Sequence, residues 1–364
     1  MKIGIFLNIG PNKVQIGGSE QVISNISKLL IKNYDYKVNI YAHNYDKSDI
    51  YHNINIIPCG KNNKLIDQIN SNSKILIYSD SFWQMFYLLD NIGKIKPKIT
   101  LVLVGAYFLQ SHPEYLKILK NNKNKINLVV HSSKTQDYKF CVENKLPVSV
   151  VSNGISLNEF KSNSIDFREK YKIKERYIIL NVSQFFYGKG QESLGLISKE
   201  LRKKRDDFIF VQISSSIKYP YEKTFLERAK RNFGKEKCLF LRNIPREDVV
   251  SAFNGSDIFC FVSGKEVSPI VLLESLAAGL PFVSLPVGDA SNHPVMIINT
   301  AIEDKKGYKI IDKRTVEVFA QEIYSILTSN SLRERLIREG QKDIKQYDWK
   351  NIVPEYNKLF KKVS

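Results

Sequence analysis

Cysteine is scarce: four residues in 364, at Cys59, Cys141, Cys238 and Cys260, with no C-x-x-C pair among them. Neither a disulfide framework nor a zinc site is suggested by that spacing. The five histidines show no metal-ligand spacing and no D-x-D pair occurs, so no metal is expected. No apolar run approaches the ~20 residues of a spanning helix, the longest uncharged one being Ile99 to Leu109. At the amino end only Ile3 to Leu7 is apolar, too short for a signal-peptide core. The expectation is a cytoplasmic protein whose membrane contact, if any, is peripheral, at the inner face of the plasma membrane. Arginine is absent from residues 1–153, where 19 lysines stand against 10 acids.

Hydrophobic residues make up 43% and charged residues 25%, which excludes wholesale disorder and low-complexity classes. The length suits two packed domains. A net charge of +18 favours acidic partners: phosphates, anionic headgroups or nucleic acid. Lys117, Lys120, Lys123 and Lys125 read as a basic rim for anionic headgroups or as a solvated face. The nucleic-acid reading is weak, because Arg202 to Arg205 is followed at once by Asp206 and Asp207 and no zinc finger, RNP-like strand or basic heptad helix is present. No nucleic-acid partner is expected.

Lys2–Asn8 reads as a strand, followed by a loop with Gly17 and Gly18 and a helical pattern through Val22, Ile26, Leu29 and Leu30. Buried strands are expected again at 37–42, 74–78, 100–104 and 127–130. A second series starts at 177–182 and continues at 207–213, 238–241, 258–262 and 281–284. Strands alternating with helices imply parallel sheets covered on both faces, hence an α/β fold of two domains. Between the series, Asn153-Gly154 ends a strand in a turn. The tail carries helical spacing from Val316 to Leu327 and from Ile344 to Phe360, and the aromatic face with Trp349 must bury on its own domain or by crossing back to the first.

The stretch from Ser263 to Ser284 is the most informative. Ser268 reads as an N-cap and Pro269 as the first helical residue, so free N–H groups face the loop holding Glu266, an arrangement that attracts phosphate. Glu274 follows within two turns, and Gly279 and Pro281 end the helix. Two carboxylates around such a helix start suit a nucleotide diphosphate sugar; a surface Glu beside a capped core helix is the plainer reading.

This stretch resembles the E-x7-E region of family 4 glycosyltransferases, retaining enzymes of GT-B fold, with Glu266 and Glu274 as the paired acids. The resemblance implies two Rossmann-like domains facing each other across a cleft: an acceptor domain, 1–155 with a returning helix at about 345–364, and a donor domain, 156–344. It implies that Glu266 faces the transferred sugar, with Val267, Ser268 and Pro269 completing that pocket. Glu274 would bind the ribose and the amides of Ile270 and Val271 the diphosphate. Gly17, Gly18 and Glu20 resemble the amino-terminal glycine loop that approaches the donor phosphates. Residues 151–160 resemble the family's hinge. Asn181 to Gly190 resembles the G-R-x4-K-G segment, in which Arg and Lys neutralise the departing diphosphate. Lys189 matches and Gln184 replaces the arginine, removing a strong phosphate contact. Ile244 would meet the base, and Tyr347 to Trp349 resembles the start of the returning helix.

The implied activity is metal-independent transfer of a hexosyl or N-acetylhexosaminyl group, without a cofactor, from a nucleotide diphosphate sugar to a glycan or lipid-linked glycan. The donor would be a UDP-sugar rather than a GDP-sugar, and the setting bacterial surface polysaccharide or glycoconjugate synthesis. A donor-binding relative with lost or lowered catalysis, and a sugar-nucleotide epimerase of similar architecture, stand as alternatives. His112 is assigned no catalytic role.

Overall fold

The computed structural model describes the chain apart from residues 8–17, 43–47, 60–62, 74, 79–81, 104–107, 163–164, 187, 216–219, 236, 306 and 364. It divides into two units, Met1–Gly154 together with Trp349–Ser364, and Ile155–Asp348.

In the first unit, runs rich in Ile, Val and Leu form eight strands: β1 (Lys2–Leu7), β2 (Lys37–Ala42), β3 (Asp49–Tyr51), β4 (Ile54–Pro58), β5 (Ile75–Tyr78), β6 (Lys98–Leu103), β7 (Ile126–Val130) and β8 (Val148–Val150). Their order is β3-β4-β2-β1-β5-β6-β7-β8, parallel except for the β3–β4 pair. Burial on both faces explains why the central strands read as continuous apolar runs. The short β3, β4 and β8 lie towards the sheet margins; β8 is the strand expected to end before the Asn153-Gly154 turn, and β3 and β4 fall outside the strands expected here.

Helix Gly18–Tyr34 turns Val22, Ile23, Ile26 and Leu30 inward. Against it packs the carboxyl-terminal helix Trp349–Val363, which buries Ile352, Val353, Tyr356 and Phe360. Tyr36 Oη donates to Asn357 Oδ1 at 2.6 Å. Trp349 can lie flat on the chain only because residue 154 is glycine: a Cβ there would stand 2.3 Å from its ring.

The second unit holds β9 (Tyr177–Val182), β10 (Phe208–Ser214), β11 (Cys238–Arg242), β12 (Ile258–Phe261), β13 (Phe282–Ser284) and β14 (Met296–Ile297). All are parallel, in the order β11-β10-β9-β12-β13-β14. Phe208, Phe210, Phe259 and Phe282 are fully buried in its core. Successive strands are added on one side of β9 up to β11 and on its other side from β12, so the carboxyl ends of β9 and β12 flank a topological switch point, where ligands of such sheets bind.

Candidate functional site

The loops after β9 and β12 are neighbours because those strands are neighbours, and they bring Lys189 and Glu266 together. Lys189 Nζ lies 2.5 Å from Glu266 Oε1, and Ser263 Oγ donates to the same oxygen at 2.5 Å. The side chains are 28% and 14% exposed, so the pair is partly shielded yet reachable. The two loops are joined at the backbone, Gly264 N–H donating to Gly188 O at 2.6 Å. Gly190 makes this approach possible: its φ is +70°, and a Cβ would stand 2.2 Å from Val262 O.

The following helix runs Ile270–Ala277 with Pro269 at the N-cap. This corrects the expected start by one residue. Ser268 does not cap the helix; its side chain bonds the Asp289 carboxylate instead, a tertiary partner that competes with the local one. Pro269 offers no capping side chain, and Leu272 N–H closes on Pro269 O. The N–H groups of Ile270 and Val271 therefore precede the intrahelical ladder. The loop is anchored from the next turn, Asp289 N–H donating to Val267 O at 3.2 Å. Val267 is buried. Burial pushes the Asp289 carboxyl above the usual carboxylate range; its Ser268 bond and His293 oppose this, and the Glu266 charge adds to it.

Glu274, 4% exposed, is met by Arg246 Nη1 at 2.5 Å. The rest of that guanidinium forks onto Glu159, Nε to Oε1 at 2.8 Å and Nη2 to Oε2 at 3.0 Å. A carboxylate so deeply buried needs such a counter-charge. Burial works against the Arg246 charge, but Glu274 and Glu159 outweigh it and hold its pKa above the ordinary value. Arg246 opens helix Arg246–Gly255, two residues after Ile244, which packs half-buried against the core.

Lys189, Glu266 and the start of helix 270–277 are thus gathered around the end of β12, with Glu274 one turn along the same helix. Gln184 is exposed, and its carbonyl accepts from Gln191 Nε2. Gly17 lies outside the described residues; Gly18 is the first residue of helix Gly18–Tyr34. Neither Asp289 nor Arg246 is singled out as a site residue by the sequence pattern. A basic residue opening a helix, where the dipole disfavours it, was the one local signal. Among the described residues, no group of three or more His, Cys, Asp or Glu could hold a metal ion.

Residues 163–343 match the family model for glycosyl transferases group 1. Over its whole length the chain is 22% identical to an uncharacterized glycosyltransferase of Methanocaldococcus jannaschii, covering 99% of it. It is 24% identical to the capsular polysaccharide biosynthesis glycosyltransferase CapM of Staphylococcus aureus over 60% of this chain and 57% of CapM. The fold superposes on Anabaena HepE in complex with UDP-glucose with a TM-score of 0.77, at 13% identity and full coverage of both chains. Residues 163–343 thus match a glycosyltransferase domain, and the chain has the GT-B fold.

Proposed function

We propose that this protein is a retaining family 4 glycosyltransferase that moves a hexosyl or N-acetylhexosaminyl group from a nucleotide diphosphate sugar, a UDP-sugar before a GDP-sugar, to a glycan or lipid-linked glycan. The observation that carries the reading is the meeting of Lys189 and Glu266 at the switch point, 2.5 Å apart, beside the uncapped start of helix 270–277. Lys189, the N–H groups of Ile270 and Val271, Gln184 and the Gly17-Gly18 loop take the diphosphate. Glu266 with residues 267–269 takes the sugar, Glu274 the ribose and Ile244 the base. The UDP-glucose held by the Anabaena protein supports the donor class, and CapM supports a place in surface polysaccharide synthesis.

In transfer, the bond from the anomeric carbon to the diphosphate oxygen breaks, and a bond to the acceptor oxygen forms on the same face. The acceptor proton passes to the departing phosphate oxygen. Negative charge grows on the diphosphate, where Lys189 and the helix start stabilise it without a metal ion. For this, the Lys189 ammonium turns from Glu266 to the phosphate or bridges both.

Gln184, in the place of a guanidinium, favours a second reading: a donor-binding relative of lowered activity. Two variants separate these roles. Glu274→Ala is expected to raise the Kd for UDP. Lys189→Ala is expected to lower kcat by about 10²–10³ with a smaller change in KM. Wild-type values in both would remove the assignment, and donor binding without turnover in the parent protein would select the second reading.

A further inference from the structure

The donor residues lie at the carboxyl ends of strands. Along the β8 edge of the first unit's sheet, beside the starts of β6 and β7, is a cavity of about 760 Å³. Lys98, Lys123, Lys125, Lys358 and Lys362 line it, with Glu355 as the only acid. Its apolar wall is Ile126, Pro147, Val150, Val151 and Leu359, and Val150 is 41% exposed. The spacing of Glu355, Lys358, Leu359 and Lys362 places them on one face of the carboxyl-terminal helix. Lys98 and Ile126 open β6 and β7.

Two of the five ammonium groups serve the fold. Lys98 Nζ donates to Asn124 O at 2.6 Å, and Lys125 Nζ to Ile92 O at 2.7 Å and to Ile95 O. The other three, Lys123, Lys358 and Lys362, are exposed; like the first two they have no carboxylate within ion-pair distance among the described residues. Lys358 shares part of its charge with Glu355 one turn back on the same helix, and the remaining positive charge beside an apolar wall favours an anion with an apolar body. Of the basic rim read in the sequence, Lys123 and Lys125 belong here, while Lys117 and Lys120 do not line the cavity.

We propose that this cavity is a second ligand site that takes a phosphorylated amphiphile, its phosphate or diphosphate head met by Lys123, Lys358 and Lys362 and its apolar portion lying along Pro147, Val150 and Leu359. The site is separate from the donor residues, which all lie elsewhere.

The test is calorimetric titration of the full chain with farnesyl diphosphate, in the wild type, in the cavity variant Lys358→Glu/Lys362→Glu and in the equal-charge control Lys117→Glu/Lys120→Glu. All four positions are exposed, so folding is preserved. Saturable binding is expected in wild type and control, weakened at least tenfold in the cavity variant, undisturbed by excess UDP, and much weaker for farnesol. Co-sedimentation with phosphatidic acid vesicles, lost in the cavity variant alone, would assign the head to a bilayer lipid. Binding of the soluble compound without vesicle retention would assign a free ligand. Equal affinity in wild type and cavity variant, equal weakening in the control, displacement by UDP, or no binding by either probe would overturn the proposal.

Discussion

Replacing Arg246 by methionine keeps the aliphatic stem and removes the charge between Glu274 and Glu159. A fully buried ion pair that loses one partner costs about 3–5 kcal/mol, but only one side of this bridge is in that regime. Glu274 is 4% exposed, whereas Arg246 is 34% and Glu159 31% exposed, so the Glu159 side contributes at most about 1 kcal/mol. Solvent screening at Arg246 brings the expected loss to about 2–3 kcal/mol, or about 4–12 °C in Tm for a domain of this size. Thermal unfolding of the full chain at pH 8 measures the loss. Adding Glu274→Gln to Arg246→Met should recover part of the loss at pH 8, giving a coupling energy between the two positions. A variant within 1 °C of wild type at pH 8 would refute the reasoning.

Gly190→Ala meets both a left-handed backbone and the Val262 carbonyl. It should lose more than about 1 kcal/mol of stability and weaken nucleotide binding, whereas alanine at Gly93, where a Cβ meets nothing, should change neither; denaturant melts read the first effect and calorimetry the second. The Asp289 carboxyl sits above its usual range through burial, so its charged form works against the fold and the cost appears as pH rises through that value. The Tm of Asp289→Asn relative to wild type should therefore move in the variant's favour between pH 4 and pH 7, and an opposite drift would contradict the assignment of burial as the cause. Gln184→Arg should leave transfer equal or faster if position 184 still meets phosphate; a drop in kcat would show a rearranged pocket.

Strands whose apolar residues are contiguous were legible. Lys37–Ala42 and Tyr177–Val182 are found as read, because burial on both faces leaves no ambiguity of period. Asp49–Tyr51 and Ile54–Pro58 were not, since the first has a single aliphatic residue, the second is interrupted by Asn55, and their pairing with each other is the only antiparallel one in that sheet among the described residues. Helix 270–277 was placed one residue early because Ser268 satisfies Asp289, which no local pattern shows. Glu266 is singled out by its place before a helix start and Lys189 only by the family resemblance, and their meeting is a product of strand order across 77 positions. The bridge from Arg246 to Glu159, across 87 positions, is likewise tertiary. Local chemistry thus nominates carboxylates and lysines, and topology decides which of them face one another.

The central claim is a nucleoside diphosphate site built on Glu274, Lys189 and the start of helix 270–277. Its most direct test is thermal unfolding of the wild type and of Glu274→Ala with UDP, GDP, ADP and dTDP, without added metal. At about 100 times Kd a ligand adds about 2.7 kcal/mol, about 5–11 °C here. The account predicts a rise of that order with UDP in the wild type and little or none in Glu274→Ala. No shift with any nucleotide, or an equal shift in both proteins, would contradict it.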